Sequence, residues 1–145
     1  MNIKKVLLVE DNPDEEELAL IAFKKAGVDA KDIQIVRDGQ EAIDYLFARE
    51  EFLNIDVTTK PLVIFLDLNI PKTHGLEVLK IIKQNEQTVT IPVVILTSSD
   101  DQKDIQEGYK FGANSYICKP FDFRIFVANI KNMANYWLDL NKTPS

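Results

Sequence analysis

Asp67 closes the apolar run Pro61-Leu62-Val63-Ile64-Phe65-Leu66. Such a run reads as a strand buried on both faces, and a carboxylate at its carboxyl end has left the sheet for a crevice. Glu10 and Asp11 close a second run, Val6-Leu7-Leu8-Val9. Thr97 closes a third, Val93-Val94-Ile95-Leu96, and Lys119 follows a fourth, Tyr116-Ile117-Cys118. Carboxylates held together resist ionising unless a cation stands between them. Magnesium, a hard ion that takes one or two carboxylates and keeps several waters, answers that need. Asp67 can then act as a nucleophile and form an aspartyl phosphate. The ion and the Lys119 ammonium would neutralise the phosphoryl oxygens, and the Thr97 hydroxyl would donate to one of them. Taken singly, Asp67 reads as a turn residue, Glu10-Asp11 as a loop, Thr97 as a polar strand end and Lys119 as a solvated lysine. Their joint placement at the ends of successive strands selects the magnesium and phosphoryl reading.

The elements that carry these residues alternate along the chain. A first strand, Lys5 to Val9, leads to an Asn12-Pro13 helix start, with the acids Asp14 to Glu17 in a solvated first turn. Leu18, Ile21, Ala22 and Lys25 share a helical face, and Gly27 ends the helix. A short strand, Ile33 to Val36, precedes a second helix from Asp38-Gly39 carrying Ala42, Ile43, Leu46 and Phe47. An extended connection from Arg49 to Lys60, with room for a helical turn, leads to the strand that ends at Asp67. Gly75 opens a third helix (Leu76, Leu79, Ile82, Lys83), and Ile91-Pro92 begins the strand that ends at Thr97. Asp100 or Asp101 caps a fourth helix ending near Gly112, and a strand from Ser115 to Lys119 precedes a last helix from about Asp122 to about Asn141. Strand and helix repeated five times predict a parallel sheet with helices on both faces. Ligands of that architecture bind beyond the carboxyl ends of the strands.

The 145 residues suit one domain, 1–145, with a core over about 3–130 and the long final helix beyond it. Hydrophobic residues make up 46% and charged residues 28%. A formal charge of -6 and a pI of about 4.8 argue against nucleic acid as a direct partner, which clustered Lys and Arg would be needed to hold. Cys118 is the only cysteine, which fits a reducing cytoplasm and reads as a small buried residue. The start Met1-Asn2-Ile3-Lys4-Lys5 is neither a signal peptide nor a membrane span.

The chain resembles a receiver domain of two-component response regulators over essentially its whole length. The resemblance is carried by Val6-Leu7-Leu8-Val9-Glu10-Asp11-Asn12, by Leu66-Asp67-Leu68-Asn69-Ile70-Pro71 with Gly75, by Ile95-Leu96-Thr97-Ser98, and by Gly112-Ala113-Asn114-Ser115-Tyr116 through Lys119-Pro120-Phe121. It implies a flavodoxin-like (βα)5 three-layer sandwich with strand order 2-1-3-4-5, an order the receiver family supplies and the spacing does not. It implies that Asp67 is the phosphoacceptor, that Asp11 binds magnesium directly with Glu10 acting through water, and that the Asn69 main-chain carbonyl completes the shell, with Mn2+ an alternative ion. Thr97 would move towards the phosphoryl group, Lys119 would pair with it, and Tyr116 would turn inwards. The Lys119-Pro120 bond is expected to be cis. Glu10, Ser98 and Thr73-His74 depart from the commonest pattern, and none removes an essential group. His74 reads as a helix-three cap or an exposed loop residue, since the family's phosphohistidine belongs to a partner histidine kinase.

Only Lys142 to Ser145 follow the last helix, so the expected mode is a stand-alone regulator signalling to a protein target through helix four, strand five and helix five. Phe126, Ile130, Met133, Trp137 and Leu140 recur as a heptad-like seam, widened at its start by Phe123 and Val127. Its first half must cover the sheet. Its end either folds back or joins a second copy, and a homodimer is the expectation. The long connection before the third strand and the extended last helix resemble regulators paired with bacterial phytochromes, which implies a light-regulated histidine kinase as phosphodonor. Asp67-Leu68-Asn69 also loosely resembles the motif of haloacid-dehalogenase-like aspartyl phosphatases, although Asn69 cannot serve as the general acid. A phosphorylation-independent pseudo-receiver would lack Asp67, Thr97 or Lys119, and no Ser/Thr/Gly-rich phosphate loop supports a flavin.

Overall fold

The computed structural model describes residues 4–54 and 60–144. Strands β1 (Val6–Val9), β2 (Ile33–Val36), β3 (Val63–Asp67), β4 (Val93–Thr97) and β5 (Ser115–Cys118) form one sheet. It has the order β2-β1-β3-β4-β5, and every pairing is parallel. Between and after the strands run α1 (Pro13–Lys25), α2 (Gly39–Leu46), α3 (Gly75–Gln84), α4 (Gln102–Lys110) and α5 (Phe123–Asn135).

Successive strand residues point to opposite faces, so each strand feeds two cores. Leu7, Val9, Ile64, Leu66, Val93 and Ile95 join α2 and α3 on one side. Val6, Leu8, Val63, Phe65, Val94 and Leu96 join α1 and α5 on the other. This explains why the strands read as unbroken apolar runs instead of alternating ones.

α1 presents a different face from the one its spacing predicts. Ala19, Ala22 and Phe23 are buried, while Ile21 is 42% exposed. The helix packs on the sheet beside α5, and its deep contact is Phe23, whose ring meets Phe65 edge-on at 5.1 Å. α4 ends at Lys110 and is capped by Asp101, which accepts from the Lys103 N–H at 2.9 Å. The connection after α2 holds a 3-10 turn, Glu50–Phe52. Its continuation through 55–59, like Met1-Asn2-Ile3, lies outside the described residues.

The last helix also departs from expectation. The α-helix stops at Asn135 and one π-helical turn, Tyr136–Leu140, follows. Phe126 (4% exposed) and Ile130 (0%) are buried in their own core, and Met133, Trp137 and Leu138 pack on it. Phe126 and Ile130 cover the sheet, as the first half of the seam was expected to, and so take no part in an interface with a second copy. At the end of the seam Leu140 is 71% exposed, with Tyr136 beside it at 45%.

Gly75 shows how the loop after β3 is held. A Cβ there would lie 2.5 Å from Leu68 Cα and 2.6 Å from Asp67 O. Backbone cannot give way as a side chain does, so Gly75→Ala is expected to cost about 1–3 kcal/mol of stability by overpacking. It should also slow any reaction at Asp67. Urea unfolding together with a labelling assay would check both.

Candidate functional site

At the carboxyl edge of the sheet, β1 delivers Glu10 and Asp11. The chain then turns at once, because Asn12 Oδ1 accepts from the N–H groups of Asp14 (2.9 Å) and Glu15 (3.2 Å) and Pro13 starts α1. β3 delivers Asp67, which is 5% exposed. Its Oδ1 accepts from the Asn69 N–H at 3.1 Å, and that bond fixes the carboxylate over its own turn. β4 delivers Thr97, fully buried, whose Oγ1 accepts from the Ser99 N–H at 3.3 Å. Beyond β5, the Lys119 N–H donates to the Thr97 carbonyl at 2.7 Å and so fixes where the lysine leaves the sheet.

The Lys119 ammonium joins these elements. Nζ donates to Glu10 Oε1 at 2.9 Å, to Asp67 Oδ2 at 2.9 Å and to Glu15 Oε2 at 2.5 Å. The Lys119 side chain is 7% exposed. Burial alone would lower its pKa, but the hydrogen bond to Glu15 and the charges of Asp67 and Glu10 outweigh that and raise it. Glu10 is pushed up from 4.5 to about 8, first by burial, then by its hydrogen bond to Asp67 and the charge there, with Lys119 opposing. One ammonium thus faces more negative charge than it can balance.

A divalent cation fits that imbalance. Glu10, Asp11 and Asp67 each offer an oxygen, and these oxygens lie within 4.8 Å of one another. An all-oxygen set with two buried members suits Mg2+ or Mn2+ and not a soft metal.

The raised Glu10 sets a pH dependence. A folded pKa above the unfolded one means that the fold holds a proton the unfolded chain releases. The resulting stabilisation is full below about pH 4.5 and is lost as pH rises through about 8. In EDTA the melting temperature is expected to fall between about pH 4.5 and about pH 8, while Glu10→Gln flattens that slope and Mg2+ recovers stability at its alkaline end. Thermal melts across pH check this, and an identical slope in the two proteins would contradict it.

The sequence placed Glu10, Asp11, Asp67, Thr97 and Lys119 at one edge, and the structure brings them together there. Asn69 stands beside Asp67 and is exposed. Tyr116 is half-buried, and its hydroxyl donates to the Ser99 carbonyl at 3.0 Å. His74 caps α3, its Nδ1 accepting from the Leu76 N–H at 3.2 Å. Cys118 is half-buried, with Sγ 3.2 Å from the Ser99 carbonyl. The Lys119-Pro120 peptide is trans, against expectation. Trans is the intrinsic preference of such a bond by about 0.5–1 kcal/mol, and the lysine reaches its carboxylates with it. Glu15 was missed as a site residue. Its place three positions after a cap that directly follows the paired acids was the available signal.

Residues 6–131 match the response regulator receiver domain, and the chain belongs to that family. It is 37% identical over 139 residues to the probable methanogenesis regulatory protein FilR2 of Methanothrix harundinacea, covering 96% of this chain and 86% of that one. The response regulator Rcp1 of Synechocystis is 34% identical over 142 residues, 98% of this chain and 94% of its own. The solved Mn2+-bound form of Rcp1 superposes with a TM-score of 0.89 at 34% identity, covering 98% of this chain and 99% of that one. The phosphorylated cyanobacterial phytochrome response regulator RcpA gives 0.87 at 35% identity, with the same coverages.

Proposed function

We propose that this protein is a stand-alone response regulator that accepts a phosphoryl group on Asp67 from a histidine kinase. The observation that carries this reading is the Lys119 ammonium, which bridges Asp67 and Glu10 from separate strands at 2.9 Å each. A strand-end carboxylate beside a fixed ammonium and two further acids is a nucleophile with its charge neutralisation already in place.

Glu10, Asp11, Asp67 and the Asn69 main-chain carbonyl would hold Mg2+, with Mn2+ as a substitute. When bound, the ion offsets phosphoryl charge and orients the incoming group for in-line attack. An Asp67 carboxylate oxygen attacks phosphorus, the bond from phosphorus to the donor's imidazole nitrogen breaks, and the imidazole leaves with the electron pair and takes a proton. Lys119 pairs with a phosphoryl oxygen, and Thr97 Oγ1 moves to donate to another. Tyr116 then gives up the Ser99 carbonyl and turns towards the space Thr97 leaves. That movement biases one of two packed arrangements of the α4, β5 and α5 surface, which a downstream protein reads. The protein is a phosphoacceptor that assists only its own phosphorylation and dephosphorylation. The dehalogenase-like phosphatase reading finds no support, because Asp67 ends the third strand in chain order and Asn69 cannot donate the proton that chemistry needs.

The phosphodonor class is a phytochrome-type histidine kinase, a reading supported by near full-length similarity to Rcp1 and RcpA. Action in the cytoplasm accords with the lone cysteine, and no described helix is long and apolar enough to cross a membrane. Dimerisation rests on the end of α5 and its π-turn, where Tyr136 and Leu140 are exposed. Sedimentation of the wild type should show dimers that Leu140→Glu weakens; a strict monomer with and without phosphate would remove this part.

Phosphotransfer from a phytochrome kinase, followed by gel shift, tests the function. Transfer to the wild type and none to Asp67→Asn is the expected result.

A further inference from the structure

Lys119 has three N–H donors, and all three are engaged, by Glu10, Asp67 and Glu15. A phosphoryl oxygen on Asp67 can be paired only if one of these bonds is given up. Glu10 and Asp67 have side chains 2% and 7% exposed, so they can leave Lys119 only for a bound cation or for the phosphoryl group itself. The Glu15 side chain is 33% exposed and stands at the mouth of the site. Its bond to Lys119 is also the shortest of the three at 2.5 Å.

The ordinary role of a glutamate at this point of a helix is to reach back to the N–H of the capping residue. Here the Asn12 N–H faces Glu10 Oε2 instead, at 3.4 Å, and the Glu15 carboxylate crosses to Lys119. Helix capping therefore does not account for where this side chain goes.

We propose that Glu15 is a positioning residue that holds the third donor of Lys119 while Asp67 is bare and must release it when Asp67 is phosphorylated. This rests on the receiver reading of Asp67 and Lys119 and adds a local competitor to it. Glu15 acts as a stand-in anion. It slows capture of the phosphoryl group, and by rebinding Lys119 it loosens the group once attached. The site is thereby biased against weak, untethered donors such as acetyl phosphate, where Asp67 displaces acetate from phosphorus, and in favour of a donor held by a docked protein.

The test compares wild type, Glu15→Ala and Glu15→Asp in Mg2+, reading the rate of labelling by acetyl phosphate and the affinity for beryllofluoride, a non-reacting phosphoryl mimic. Aspartate keeps the charge but loses the reach of one methylene. Both variants are expected to gain roughly tenfold in each readout, the scale of one charge-assisted hydrogen bond, with Mg2+ affinity unchanged. A purely structural role would leave beryllofluoride affinity unmoved and would overturn the proposal. So would Glu15→Asp behaving as wild type while Glu15→Ala accelerates, because the effect would then be one of general charge. Labelled wild type with both variants unchanged would sink the Glu15 proposal alone, whereas a wild type that takes no label would sink the receiver reading beneath it.

Discussion

Asp67→Asn is expected to bring phosphoryl uptake to background while leaving the fold intact. Asn matches Asp in shape, so the buried pocket keeps its packing and the turn bond from the Asn69 N–H keeps an acceptor. What disappears is the nucleophile. One negative charge also leaves the neighbourhood of Glu10, whose pKa stands at about 8 partly because of Asp67. Glu10 then ionises more readily, and metal-free Asp67→Asn should melt no lower than wild type at alkaline pH. Its Mg2+ affinity should fall, since one of three clustered oxygen donors has lost its charge. Circular dichroism melts and an acid-labile phosphate assay read these together. Loss of label with a large loss of stability would mean that the substitution acted through folding and not through chemistry.

Lys119→Ala should produce the largest change in stability of any single site substitution. The ammonium is buried, and its removal leaves the carboxylates of Glu10 and Asp67 facing each other without a cation. Breaking a buried pair in this way costs about 3–5 kcal/mol. The cost should be largest well above about pH 8 and should shrink as pH falls through about 8, where Glu10 takes up a proton and its repulsion with Asp67 disappears. Mg2+ should recover much of the loss by replacing the missing charge. It should not recover phosphorylation, because the phosphoryl group would still lack its ammonium partner. Urea unfolding at two pH values with and without Mg2+, beside a labelling assay, separates these effects. Equal destabilisation at both pH values would contradict the charge account.

The parts of this protein that could be read from its sequence are those governed by strand burial. β3 and β4 are buried along their whole length and appear as plain apolar runs, so the polar residue ending each one, Asp67 or Thr97, stood out. The same logic found Glu10, Asp11 and Lys119. The strand order came from family resemblance, because parallel runs carry no mark of their neighbours. Helices were harder. In α1, Leu18 and Ile21 fit a helical stripe, but the space between β3 and α5 accepts Phe23 and leaves Ile21 half out. In α5 the heptad-like spacing of Phe126 and Ile130 is real, yet its cause is contact with the sheet. Periodicity shows that a face is buried without showing what buries it. Glu15 was lost in a run of acids that helix-dipole reasoning already explained, since its true partner is 104 positions away.

The most direct measurement is the mass and site of phosphate on wild-type protein incubated with Mg2+ and acetyl phosphate. The account predicts one phosphoryl group, labile to hydroxylamine, mapped to the peptide containing Asp67 and absent when EDTA replaces Mg2+. An unmodified protein under those conditions, or a phosphate that maps elsewhere or forms equally well in EDTA, would contradict it.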